Sequence, residues 1–335
     1  MSGIIREDCI LCWDKNRIDS DTRCIQGVDL PVTPDITNRM FLERVEEISS
    51  SAVIEFPSDD DIIILPIYHK VMMYKTIFLG VCMISQYEYY KADDHRMIAY
   101  RKVDANGSDL NTPGFIYLGG YRSDMTGSKS TWLFNRAVQH GHSCLLFDYT
   151  GHGNSSGDFN ALCISDWLRD SVDIINSKVR GRHILVGSSM GGWLSLLLAR
   201  MMPEKIAAII CIAPAPDFTS AIYKDLSDDK KQRLKRMETL YEGNPDWPIV
   251  LTEEFILDGE KNSILSSPCR VSCPVRIVIG DSDHLISVED TLKLLRHLEG
   301  DDISMYVMKH ADHSFSTPAC LEVLDNTING LSSIS

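Results

Sequence analysis

From about residue 94 the chain alternates two patterns. Short, nearly continuous apolar runs stand at His95–Val103, Gly114–Leu118, Ser143–Tyr149, His183–Ser188, Ile206–Ala213, Val275–Gly280 and Ile303–Met308. Between them lie longer stretches with helical periodicity: Ser128–His140 (closed by Gly141), Ala161–Val179, Met190–Met202, Val288–Leu298 and a last one around Pro318–Leu331. Apolar strands in regular alternation with helices predict an α/β fold, a mostly parallel sheet with helices on both faces. Residues 214–268 interrupt the rhythm with a charged helical piece, Leu226–Leu240, a turn at Asn244–Pro248, and a short helix near Glu253–Asp258. An insertion placed after a strand of such a sheet sits over its carboxyl edge, where ligands bind, so 214–268 is expected to form a helical cap.

Residues 1–85 are weakly patterned. Arg39–Ile48 has faint helical periodicity, Pro57–Asp61 is an acidic turn, and Ile62–Ile67 reads as a strand. The expected division is an N-terminal extension or small domain over 1–85, with a protein partner as one use for it, and an α/β domain over 86–335 that carries the insertion 214–268. Met72, Met73 and Met83 leave the start of the working chain open.

Charge narrows the partners. A formal net charge of −14 and a pI near 5.1 argue against nucleic acid and against an anionic membrane surface. The longest apolar runs, Ile77–Ile84 and Ile206–Ala213, fall well short of the roughly 18 residues of a spanning helix. The acidic opening does not read as a signal peptide, and a cytoplasmic location is expected. Cys144, Cys163 and Cys211 fall in apolar patterns, as buried free thiols do. Cys9, Cys12 and Cys24 lack a fourth ligand at zinc-site spacing. No metal and no cofactor are expected.

The chemistry centres on Gly187-Ser188-Ser189-Met190-Gly191, a G-x-S-x-G between an apolar strand and an apolar helix. The outer glycines let strand and helix pass closely, and the central serine is forced into a sharp turn with its hydroxyl held out. The helix behind it directs unpaired N–H groups and its dipole toward developing negative charge. This context reads as the nucleophile elbow of a serine hydrolase. A serine hydroxyl needs a base and an acid that orients the base, and in this arrangement they follow in the order Ser, acid, His at successive strand ends. Asp283 and His313 stand just past the strands Val275–Gly280 and Ile303–Met308. Asp281 and Asp217 are rivals for the acid, and His310 for the base. Oxyanion donors are expected from the Met190 N–H and from Tyr121, which follows Gly119-Gly120 at the end of a strand. Arg122, Ser123 and Asp124 either touch substrate or brace that loop. His152, in Thr150-Gly151-His152-Gly153-Asn154-Ser155, precedes the nucleophile in the chain and is read as structural.

On these residues the chain from about 94 to 331 resembles the α/β-hydrolase superfamily. Gly119–Tyr121, Asp148–Ser155, Gly187–Gly191, Gly280–Asp283 and Lys309–His313 carry the likeness. Gly120–Lys129, Phe255–Pro268 leading to Cys273–Arg276, and Lys309–His313 make it similar to a subgroup of mitochondrial acyl-protein thioesterases that also cleave acyl glucuronides, with bacterial relatives. The resemblance implies Ser189 as nucleophile, Asp283 as acid, His313 as base and position 121 in the oxyanion hole. After the acid this chain has Ile286-Ser287 where other members have a branched residue and proline. The expected activity is hydrolysis of an ester or thioester through an acyl-enzyme, on a small-molecule or acylated substrate whose contact residues the sequence does not assign. The cap lacks a long apolar stripe, which favours small or medium acyl groups. A catalytically silent binding protein, or an acyltransferase or peptidase using the same triad, are the alternatives.

Overall fold

The computed structural model describes residues 87–105, 112–245 and 248–331. The helix, strand, cysteine and partner expectations for residues 1–85 lie outside the described residues.

The chain begins with β1 (Glu88–Lys91), β2 (Met97–Val103) and β3 (Gly114–Leu118), then α1 (Ser128–His140) and β4 (Cys144–Phe147). Next come α2 (Ile164–Lys178), β5 (His183–Ser188), α3 (Met190–Met201) and β6 (Ile206–Ile212). The stretch after β6 holds α4 (Phe218–Asp225), α5 (Asp228–Lys235), β7 (Leu240–Glu242), β8 (Ile249–Leu251), α6 (Glu253–Lys261) and β9 (Cys269–Arg270). The chain closes with β10 (Val275–Gly280), α7 (Val288–His297), β11 (Leu298–Glu299), β12 (Ile303–Met308) and α8 (Pro318–Leu331). One eight-stranded sheet has the order β1-β2-β4-β3-β5-β6-β10-β12. The pairings of β1 with β2 and of β2 with β4 are antiparallel, and the remaining ones are parallel.

Why the central strands read as unbroken apolar runs is visible in their packing. Every residue of β3, β5 and β6 is buried, because both faces are covered. Ile116, Leu118 and Leu185 pack on one face with Trp167 of α2, Leu194 of α3 and Leu294 of α7. Their neighbours Phe115, Tyr117, Ile184 and Val186 pack on the other face with Leu133 and Phe134 of α1 and Leu324 of α8. The period-two alternation is thus present, but both of its phases are apolar.

Two expected helices are shorter than their patterns. The stretch expected as Ala161–Val179 is a 3-10 turn, Phe159–Ala161, and then α2 from Ile164. The Cys163 N–H bonds Asp166 Oδ2 at 3.0 Å, which starts the helix afresh. The stretch expected as Leu226–Leu240 is α5 alone. Ser227 caps its start, and Met237, in a left-handed conformation (φ 63°), closes its end. The region expected as a helical cap also contains a strand pair, with β7 antiparallel to β8.

Candidate active site

The strand-to-helix turn after β5 is as tight as its glycines require. A Cβ on Gly191 would stand 2.0 Å from the Leu118 carbonyl oxygen, and one on Gly187 would stand 2.2 Å from the Gly191 oxygen. Ser189, between them, has φ 54° and ψ −116°, a region that residues with a Cβ avoid unless their surroundings enforce it. Here the enforcement is visible: the Ser189 N–H bonds the Ile212 oxygen at 2.9 Å, and its carbonyl accepts from Gly192 (2.9 Å) and Ala215 (3.1 Å). The strained backbone presents the side chain at the N-terminus of α3.

The loops after β10 and β12 bring Asp283 and His313 together. His313 Nδ1 lies 2.8 Å from Asp283 Oδ2. The other carboxylate oxygen accepts the N–H groups of Leu285 (2.8 Å) and Ile286 (2.9 Å). The Asp283 side chain is covered from solvent. Burial works to raise its pKa, but the bonds from His313, Ile286 and Leu285 outweigh it and hold the carboxyl below its ordinary value. An ionised acceptor on Nδ1 leaves Nε2 as the free face of the neutral imidazole. The two loops approach closely because Gly280 has no side chain; a Cβ there would stand 2.0 Å from the Ala311 oxygen. Among the described residues no hydrogen bond joins Ser189 to His313, a contact that commonly tightens only once substrate is bound.

The rival residues are engaged elsewhere. Asp281 pairs with Lys309 Nζ (2.7 Å) and with the His310 N–H (2.6 Å), and these contacts pull its pKa down to about 2. Asp217 is buried and accepts from Ile264 N–H (3.0 Å), Leu265 N–H (3.0 Å) and the Ser263 hydroxyl. It ties the start of α4 to the segment after α6. His310 is exposed. His152 is buried among Tyr149, Phe159 and Trp167.

The glycine turn after β3 lies against the elbow: a Cβ on Gly120 would be 3.4 Å from Ser189 Cβ. Among the described residues neither the Tyr121 N–H nor the Met190 N–H donates to a protein acceptor. The Tyr121 side chain points the other way, into an aromatic cluster with Phe159 (4.8 Å between ring centroids), Trp167 (5.8 Å), Phe218 (5.8 Å) and Phe255 (6.0 Å). Its hydroxyl accepts the Val250 N–H at 3.0 Å, and Arg122 Nε donates to the Pro248 oxygen at 3.0 Å. The loop beside the serine is therefore bolted to the β8 side of the inserted strand pair.

The profile of the alpha/beta hydrolase family matches residues 119–320, more than half of the chain. The chain belongs to this family. Human mitochondrial palmitoyl-protein thioesterase ABHD10 is 31% identical over 242 residues, spanning 70% of this chain and 76% of its own. The mouse protein of that name is 32% identical over 237 residues, spanning 70% and 78%. Among solved structures, mouse alpha/beta hydrolase domain-containing protein 10 superposes with a TM-score of 0.69 at 29% identity, covering 74% of this chain and 98% of that one. A hydrolase from Agrobacterium vitis S4 also gives 0.69, at 32% identity, covering 75% and 100%. The fold is the α/β-hydrolase fold, and the protein is a hydrolase of the subgroup that includes the mitochondrial palmitoyl-protein thioesterases.

Within this hydrolase domain, sequence reasoning missed several supporting residues. Lys129, just inside α1, donates to the Ser314 carbonyl and holds the His313 loop from below. Buried Phe315 anchors the same loop. Asp170 accepts from the Thr150 N–H (2.6 Å) and hydroxyl (3.0 Å), and it pairs with Arg96. Lys129 and Asp170 carry no spacing signal, because they act across 185 and 20 positions of sequence. Six described cysteines, Cys144, Cys163, Cys211, Cys269, Cys273 and Cys320, are free and buried. Among the described residues no group of three His, Cys, Asp or Glu side chains converges as a metal site.

Proposed function

We propose that the protein is a serine hydrolase that cleaves acyl thioesters or esters through an acyl-enzyme on Ser189. His313 takes the hydroxyl proton as Ser189 Oγ attacks the acyl carbon. Asp283 holds the imidazole with Nε2 free and stabilises the imidazolium that forms. The N–H groups of Tyr121 and Met190 receive the negative charge on the acyl oxygen. The leaving thiol or alcohol takes the proton from His313, and water then cleaves the acyl-serine by the same route in reverse. The observation that carries the reading is the 2.8 Å His313–Asp283 pair, at the same carboxyl edge of the sheet as a serine held at φ 54°.

Chemistry and relatives together support a substrate class. The proteins matched over 70% of the chain are named palmitoyl-protein thioesterases, which supports an S-acylated protein as substrate and a longer acyl chain than the cap pattern alone favours. Leu285, two residues after Asp283, is an exposed apolar side chain that a fatty chain would cover. The described residues contain no helix long and apolar enough to cross a membrane. Buried free thiols fit a reducing compartment, for which cytoplasm is our reading; the named relatives are mitochondrial. The test is turnover of S-acyl peptides with chains from two to sixteen carbons, beside matched oxygen esters. Thioester hydrolysis that rises with chain length and is lost in Ser189→Ala supports the reading. Equal turnover by Ser189→Ala would remove it.

A further inference from the structure

The loop beside the serine is held at two consecutive peptide units. In the first, the Gly120 carbonyl accepts from the Ser123 N–H (3.1 Å) and from Ser123 Oγ (2.9 Å). No described peptide bond is cis, and a trans unit points its C=O and N–H in opposite directions. Pinning the Gly120 oxygen to Ser123 therefore sets the direction of the Tyr121 N–H, which belongs to the same plane. In the second unit, the Arg122 N–H meets His152 Nε2 at 3.3 Å. Arg122 has φ 59°, a left-handed conformation that a non-glycine residue keeps only under external hold.

The two contacts of His152 fix its tautomer. Nδ1 lies 3.3 Å from the Thr150 carbonyl, which can only accept, so Nδ1 carries the hydrogen. Nε2 faces an N–H, which can only donate, so Nε2 is bare. Both contacts are satisfied by the neutral ring alone. The ring is wedged between Tyr149, Phe159 and Trp167, at centroid distances of 5.3, 4.9 and 5.2 Å. Trp167 Nε1 donates to the same Thr150 oxygen at 3.1 Å. Burial pushes the imidazole pKa down to about 4, against the opposing Thr150 contact, so it stays neutral near pH 7.

We propose that Ser123 and His152 are positioning residues that clamp the Gly120–Arg122 backbone and aim the Tyr121 N–H at the acyl oxygen. The proposal rests on the reading of Ser189 as nucleophile and Tyr121 as oxyanion donor. Neither residue touches substrate; each acts through the peptide it holds. A clamp on a group used in the transition state changes kcat and leaves KM nearly alone.

The test compares paired variants of the full chain on one S-acyl peptide. His152→Phe keeps a planar ring without an acceptor, and His152→Gln restores an acceptor of similar reach. Ser123→Ala and Ser123→Thr do the same for the hydroxyl. Expected are losses in kcat of about 10- to 100-fold in His152→Phe and about 10-fold in Ser123→Ala, at nearly constant KM. Most of each loss returns in the Gln and Thr variants. Wild-type kcat in either Phe or Ala variant, or no recovery in its polar partner, overturns the clamp. Where a variant does not fold, the wild-type ring decides: nitrogen-15 spectra of histidine-labelled protein must show His152 as the Nδ1–H tautomer, and an Nε2–H tautomer overturns the proposal. A folded wild-type chain inert to the S-acyl peptide would instead sink the nucleophile reading.

Discussion

At the scale of single residues, of Asp217, Asp281 and Asp283 only Asp283 hydrogen-bonds an imidazole. Asp283 accepts from His313 and two backbone N–H groups, so its charge is held where a positive imidazole would form. Replacing it with Asn keeps the shape but offers Nδ1 a donor or a weaker acceptor, and the wrong tautomer becomes available. Asp283→Asn is expected to lower kcat by roughly 10⁴-fold while the melting temperature changes little; steady-state kinetics beside thermal melts check both. Asp217 is the opposite case. Its acceptors serve the buried Ile264 N–H, the Leu265 N–H and the Ser263 hydroxyl. Asp217→Ala leaves these donors unpaired and is expected to cost about 1–3 kcal/mol or more of stability, read from urea unfolding. An unchanged midpoint would mean that water or a shifted side chain replaces the carboxylate.

At the scale of elements, what the sequence made legible follows from how each element is buried. Strands β3, β5, β6 and β10 are covered on both faces, so they appear as continuous apolar runs, and the residues at their carboxyl ends could be named with them. Ser189, Asp283 and the Gly119–Tyr121 turn stand at such ends, whereas His313 follows β12, which is only partly buried, and is legible through the order Ser, acid, His. β1, with the sequence Glu88-Tyr89-Tyr90-Lys91 and mostly exposed, has no such run to show. The β7–β8 pair offers three residues a side, too few for a period to emerge. In the stretch expected as one helix from Leu226, charged residues continue the pattern through the stop at Met237, which is set by backbone conformation and not by polarity. The brace on the Gly120–Arg122 loop was equally hidden: Arg122 and His152 are 30 positions apart, and only the fold makes them neighbours. The elbow offers a direct check on element packing. Gly191→Ala places a methyl group 2.0 Å from the Leu118 oxygen, and α3 must move away from β3. It is expected to lower stability by about 1–3 kcal/mol and to reduce turnover with it. A variant as stable and active as wild type would show that the two elements are not in tight contact.

At the scale of the whole molecule, pH acts through buried imidazoles. His152 and His183 are both pushed down to about 4, chiefly by burial, whereas an unfolded histidine protonates near 6.5. Between these values the unfolded chain binds more protons, so stability falls as pH drops from about 6.5 to 4, by up to about 3 kcal/mol for each ring. Asp283, held below its ordinary value, adds its loss only below about pH 4. Urea midpoints measured from pH 7 to pH 4.5 are expected to decline, and the decline is expected to be shallower in His183→Gln. An equal slope in that variant would contradict the assignment of His183 as a buried neutral ring. At the carboxyl edge of the sheet the strained turn between β5 and α3 holds Ser189. The most direct measurement of its role is intact mass after reaction with a fluorophosphonate probe, wild type beside Ser189→Ala. One added phosphonyl group on wild type, mapped to Ser189 by peptide sequencing and missing from the variant, is the predicted result. A folded wild-type protein that gains no mass, or one that is labelled equally in Ser189→Ala, would contradict it.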